Sequence, residues 1–123
     1  MRNSLVAVLL VAAALGTAAC GRRPAPPGGE APRPPIDVVA AEWTFQPSPL
    51  TVHAGPVTFR IRNQGVVDHN FGVEGRPGAE VDGIKPGESK TLSVRLDPGT
   101  YTAYCSLPGH REAGMVAEVR AAP

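Results

Sequence analysis

Cys105, His110 and Met115 stand in one short segment, Tyr104-Cys105-Ser106-Leu107-Pro108-Gly109-His110-Arg111-Glu112-Ala113-Gly114-Met115, with four residues between each of them and the next. A thiolate, an imidazole and a thioether make a soft donor set, and one more imidazole completes a trigonal two-His, one-Cys site with a weak axial Met, the arrangement that suits copper. His69, in Asp68-His69-Asn70, can supply that second ring. Cu(II) favours tetragonal nitrogen and oxygen ligands, whereas Cu(I) favours fewer and softer ones, so a compromise set on a rigid frame changes little when one electron arrives. Zinc fits less well, because Met is a poor zinc ligand and no carboxylate replaces it. A binuclear copper centre needs two bridging thiolates, and only Cys105 is on offer. His53, in Thr51-Val52-His53-Ala54, precedes a turn without ligand neighbours and reads as a surface residue.

The elements that must position these residues read as strands. Val57, Phe59 and Ile61 alternate with Thr58, Arg60 and Arg62, and Leu92, Val94 and Leu96 alternate with Thr91, Ser93 and Arg95. That two-residue period marks half-buried strands. His69, Phe71 and Val73 share one parity against Asp68, Asn70 and Gly72; Tyr101, Ala103 and Cys105 share a face, as do Met115, Ala117 and Val119. From Ile36 to Phe45 the alternation changes frame midway, which predicts one strand with a β-bulge or a switch between sheets. Turn signals at Ala54-Gly55-Pro56, Asn63-Gln64-Gly65, Lys85-Pro86-Gly87 and Asp97-Pro98-Gly99 separate the runs. Short strands with turns at roughly eight- to twelve-residue intervals predict an all-β Greek-key sandwich of about seven to eight strands. No stretch has convincing helix caps, and neither an internal repeat nor a second domain is visible.

Bulk properties narrow the function classes. With 123 residues, 42% hydrophobic and 19% charged, the chain suits one packed domain. Its net charge of +1 and the absence of a Lys/Arg stripe argue against a nucleic-acid partner. Gly and Pro, 14 of each, leave little room for long helices.

The N-terminus differs from the rest. Arg2 precedes an apolar run, Leu5 to Leu15, and small residues lead into Cys20. This is the layout of a secretory signal peptide over residues 1–19, too short to span a bilayer. Thr17-Ala18-Ala19-Cys20-Gly21 resembles the bacterial lipobox, in which the Cys becomes the lipidated first residue; Thr17 departs from the usual Leu, and cleavage near Ala18 or Ala19 is the alternative. Residues 20–35 are rich in Pro and Gly and read as a lipid-anchored spacer, which at about 3 Å per residue could span about 40 Å. The domain proper is then 36–123, in the bacterial periplasm or cell envelope. Only Cys20 and Cys105 exist. A lone Cys105 in an oxidising compartment calls for a purpose, and a disulfide between the two is the plain alternative.

Tyr101 to Val119, with Val67 to Val73 and the opening Trp43-Thr44-Phe45 through Pro49-Leu50-Thr51-Val52 to Val57-Thr58-Phe59, resembles the cupredoxins, the small type 1 blue copper proteins of the plastocyanin, auracyanin and amicyanin kind. The resemblance covers nearly all of the chain after the spacer. It implies one copper ion held by His69, Cys105, His110 and Met115, with Asn70 hydrogen-bonding toward Ser106 and shielding the Cys sulfur. It implies too that His110 reaches an apolar patch of Leu107, Pro108, Ala113 and Gly114 with Val66 or Val67, where redox partners dock. The loop from Cys105 to His110 is longer than plastocyanin's, and Arg111-Glu112 places charge where plastocyanin's loop has none.

The reading that follows is a monomeric one-electron carrier between extracytoplasmic redox partners, not an enzyme, tied to the membrane by its N-terminal lipid. A copper-binding or delivery protein holding Cu(I) is the alternative, although such proteins favour exposed Met- and His-rich segments. A Cys105–His110 nucleophilic enzyme is a third, and it would need a partly exposed thiolate, an orienting group and a concave pocket.

Overall fold

The computed structural model describes residues 30–123, and their compact unit is Ala31–Pro123. The signal-peptide and Cys20 assignments lie outside the described residues, as does most of the spacer. Residues 30–35 carry no regular structure and are exposed.

Nine strands follow in chain order: β1 (Ile36–Ala41), β2 (Thr44–Gln46), β3 (Leu50–His53), β4 (Gly55–Asn63), β5 (His69–Val73), β6 (Glu80–Ile84), β7 (Ser89–Leu96), β8 (Gly99–Tyr104) and β9 (Val116–Ala122). They form two sheets, one of order β2-β1-β4-β7 and one of order β3-β9-β8-β5-β6. The expected all-β sandwich is therefore present, with nine strands in place of seven or eight.

Two local readings need correction. Ile36–Phe45 is not one bulged strand: the chain reverses at Glu42-Trp43, so that Ala41 pairs with Thr44 and Ala40 with Phe45 in an antiparallel hairpin. The change of frame in the alternation is that reversal, which puts Val38, Ala40 and Phe45 into one core. β6 was not anticipated at all. It is an edge strand with only Val81 and Ile84 apolar, and its pairing with β5 is irregular between His69 and Phe71.

The core fills the space between the sheets with alternate residues of each strand. Phe59 from β4 and Phe45 from β2 both pack on Phe71 of β5, with ring centroids 5.3 Å and 5.1 Å apart. Phe71 thus anchors its strand two residues beyond His69. At the other end, Tyr101 donates its hydroxyl to the Asp97 carbonyl (2.9 Å) and accepts from Arg76 (2.6 Å), pinning the approach to β8.

The topology gathers one end of the larger sheet. β5 and β8 run antiparallel with Gly72 opposite Tyr104, so the start of β5 lies beside the end of β8. β8 and β9 pair from Tyr104–Val116 downward, and the segment between them is a closed loop at that same end.

Candidate metal centre

Three of the four candidate ligands sit at strand ends that the pairing fixes, and His110 lies in the loop between two of them. His69 opens β5, Cys105 follows β8 and Met115 precedes β9. The neck of the loop is closed by the Cys105 amide donating to the Met115 carbonyl, 3.2 Å. Within it, the amides of His110, Ala113, Gly114 and Met115 donate to the carbonyls of Leu107, Gly109, Arg111 and His110 at 2.9–3.1 Å. Such a turn-on-turn path needs backbone outside the usual L-residue regions, and Gly109 (φ 82°) and Gly114 (φ 103°), just ahead of His110 and Met115, provide it. The Arg111-Glu112 charges noted in the sequence do not enter the site: Arg111 pairs with Glu74 at 2.9 Å and lies over the Tyr104 ring.

The side chains of His69, Cys105 and His110 converge, with one donor atom of each lying within 4.8 Å of the others. His110 Nδ1 is 3.4 Å from Cys105 Sγ and 3.4 Å from His69 Nδ1. Ligand atoms bound to one ion at bond lengths of roughly 2.0–2.3 Å and trigonal angles stand roughly 3.5–3.8 Å apart. The triangle therefore fits a single transition-metal ion, and its softness, one thiolate with two imidazoles, fits copper. His69, Cys105 and Met115 are fully buried, and His110 is half-buried. Cys105 is a free thiol.

Asn70 and Ser106 surround the sulfur with hydrogen bonds. The Asn70 backbone amide points at Cys105 Sγ, 3.3 Å away, and its side-chain amide donates to Ser106 Oγ at 2.8 Å. Its side-chain carbonyl accepts from the Gly83 amide at 2.8 Å, so the unforeseen β6 holds Asn70 in place. Ser106 in turn donates to Glu80. Asn63, a turn signal in the sequence, is wholly buried; its side chain donates to the Val67 and Ile84 carbonyls and accepts from the Gly65 amide, which shapes the approach to His69.

Two residues here escaped the sequence reading, both at the β1–β2 reversal. Glu42 Oε1 lies 3.2 Å from His69 Nε2, the nitrogen facing away from the triangle. Trp43 packs edge-on against the His110 ring, 4.6 Å between centroids. No motif spacing points to either, because both contacts cross between the sheets. Burial lowers the His69 pKa, with Glu42 opposing that effect, while hydrogen bonds from the Val66 and Val67 amides help hold the Glu42 carboxyl below its ordinary value. His53 is exposed, as anticipated. The residues expected to border His110 are open to solvent, Val66 most of all, with Leu107 half-buried.

Comparison with known proteins gives the same family. A family model described as a cupredoxin-like domain matches residues 5–117. A search of curated proteins gives no match. Among solved structures the chain is similar to reduced auracyanin from Roseiflexus castenholzii, with 22% identity and TM-score 0.64 over 72% of this chain and 96% of that one. It is similar to auracyanin B, with 23% identity and TM-score 0.66 over 78% and 94%. A blue copper oxidase from Nitrosomonas europaea shares the fold at 16% identity and TM-score 0.60, over 72% of this chain but only 38% of the oxidase. The converging donors suit one copper ion, and the chain belongs to the cupredoxin-like domain family.

Proposed function

We propose that this protein is a one-electron carrier of the extracytoplasmic space. One observation carries the reading: of the three converging donors, two are fully buried and only the His110 ring reaches toward solvent. His69, Cys105, His110 and Met115 would hold the ion. The copper supplies the Cu(II)/Cu(I) couple. The protein's own groups do the rest. Hydrogen bonds around Cys105 and Asn70 keep the sulfur fixed and dry, and the closed loop keeps the donors from rearranging as charge changes. One electron enters from a reduced donor and leaves to an oxidised acceptor; no bond is made or broken and no substrate is turned over. The fully buried Cys105 Sγ offers no approach to a substrate, which disfavours a nucleophilic enzyme.

The path for the electron is the His110 ring, against which Trp43 packs, with the exposed Val66 and Val67 as candidate parts of the docking face. A small apolar face suits brief encounters with redox partner proteins. The likeness to the auracyanins, which this chain spans almost end to end, supports a carrier more than the likeness to the oxidase, of which it covers 38%. Export by the N-terminal segment, lipidation at Cys20 and a Pro-rich tether to the membrane complete the proposal, with the monomer as the working form. Among the described residues no helix is long and apolar enough to cross a membrane.

The test is a visible spectrum after Cu(II) is added, repeated with Cys105→Ser. An intense thiolate-to-copper band that ascorbate bleaches and the variant lacks is the expected result. A protein that stays colourless and binds only Cu(I) would point to copper handling, and one indifferent to copper would sink both readings.

A further inference from the structure

A neutral imidazole has one proton for two nitrogens, and a metal can use only the nitrogen without it. In His69 the two nitrogens face different surroundings. Nδ1 points into the donor triangle, 3.4 Å from His110 Nδ1, and Nε2 points the other way to Glu42 Oε1 at 3.2 Å. The ring is fully buried, and the Glu42 side chain is 28% exposed. Glu42 belongs to neither the ligand loop nor β5; it sits at the reversal between β1 and β2, in the opposite sheet.

The carboxylate is seated on purpose-shaped backbone. The same Oε1 accepts the Val66 amide at 2.9 Å and the Val67 amide at 3.2 Å, in the segment leading directly into His69. Gly65 completes the seat: a Cβ there would lie 2.1 Å from Oε1 and 2.7 Å from Cδ, so any other residue displaces the carboxylate. Two backbone donors and one forced absence of a side chain thus aim a single oxygen at Nε2.

We propose, resting on the copper reading above, that Glu42 is a positioning residue of the metal centre: it accepts a hydrogen bond from the Nε2–H of His69, leaves Nδ1 as the ligand atom, and biases the site toward Cu(II). A carboxylate behind a ligating imidazole raises the basicity of the ring, and the outer partners of metal ligands typically matter by 10- to 100-fold in affinity. Its negative charge stabilises the more positive oxidation state, so Cu(II) gains more than Cu(I) and the reduction potential falls. Because the carboxylate is part-exposed, solvent screens some of this charge, and the lower end of that range applies.

Two measurements test it. In the copper-free protein, long-range proton–nitrogen NMR correlations read the His69 tautomer directly, and the expected result is a ring protonated at Nε2. A ring protonated at Nδ1 overturns the proposal whatever copper does. In the copper-loaded protein, Glu42→Gln keeps the shape and an acceptor for the Val66 amide but removes the charge. Cu(II) affinity is expected to fall about tenfold with Cu(I) affinity nearly unchanged, which is a rise of about 59 mV in potential. An unchanged potential overturns the charge argument. Should that variant not fold, Gly65→Ala moves the carboxylate while keeping it, and the same upward shift is expected. If the unaltered protein forms no blue site, the copper reading fails, and the tautomer still decides the role of Glu42.

Discussion

His69 is the residue on which most of the site's chemistry turns, and its burial has a consequence for the copper-free protein. Burial pushes its pKa below the ordinary imidazole value of 6.5, with Glu42 only partly offsetting it. The folded state therefore resists taking a proton that the unfolded chain accepts. Stability is fully present above the unfolded value and is lost as pH falls below about 6.5, because there the unfolded state binds more protons. Urea midpoints of the copper-free protein should decline from pH 7 to pH 5, and His69→Gln should flatten that slope; an equal slope in the variant would assign the decline elsewhere. Met115 poses the opposite question, since a fully buried Met is also good core. Met115→Leu nearly conserves volume and should cost less than about 1.5 kcal/mol in stability. If the thioether is a ligand, the same change raises the reduction potential and shifts the visible band. If it is core alone, voltammetry and the spectrum will not move.

At the scale of the elements, the centre is a loop and a turn held by backbone hydrogen bonds. Asn63 shows how much one side chain supports: it satisfies the carbonyls of Val67 and Ile84 and the amide of Gly65 from a wholly buried position. Asn63→Ala leaves those groups without their partner, at a cost of about 1–3 kcal/mol for each that water cannot reach. Chemical denaturation should show that loss, with a weakened metal site as its companion because Gly65–His69 depends on the same contacts. The strands that carry the ligands were legible in the sequence because their alternation is regular and their ligands fall at fixed spacing in one segment. His69 could be placed by parity on β5, and Asn70 with Ser106 by resemblance. β6 was hidden because an edge strand with few apolar residues leaves no periodic signal. The Glu42-Trp43 reversal looked like a bulge, since a change of frame in alternation is common to both. The contacts that Glu42 and Trp43 make with the two imidazoles run 27 residues and farther along the chain, and nothing local in the sequence encodes them.

For the whole molecule, the main question is whether the metal builds the fold or finds it built. The candidate ligands all come from strand ends of the larger sheet and the loop joining β8 to β9, while the smaller sheet contributes the Glu42-Trp43 reversal that backs and covers the two imidazoles. Among the described residues every buried side-chain nitrogen and oxygen has a partner without the ion. The three-ring cluster of Phe45, Phe59 and Phe71 joins the sheets independently of it. A metal-dependent fold of the zinc-finger kind has no such core and is unfolded when empty. This protein should instead unfold cooperatively without copper and keep its sheet signature in circular dichroism. Copper then adds stability only through preferential binding to the folded state, about 4.1 kcal/mol when free ion is 1,000 times the dissociation constant. For a domain of this size each kcal/mol moves the melting temperature by about 4–8 °C, so saturation should raise it by roughly 15 °C or more. Cys105→Ser should fold and melt as the empty protein does yet lose most of that gain. An empty protein without a cooperative transition would mean that the donors are brought together by the ion, and that the rigidity invoked for electron transfer is acquired on metal binding.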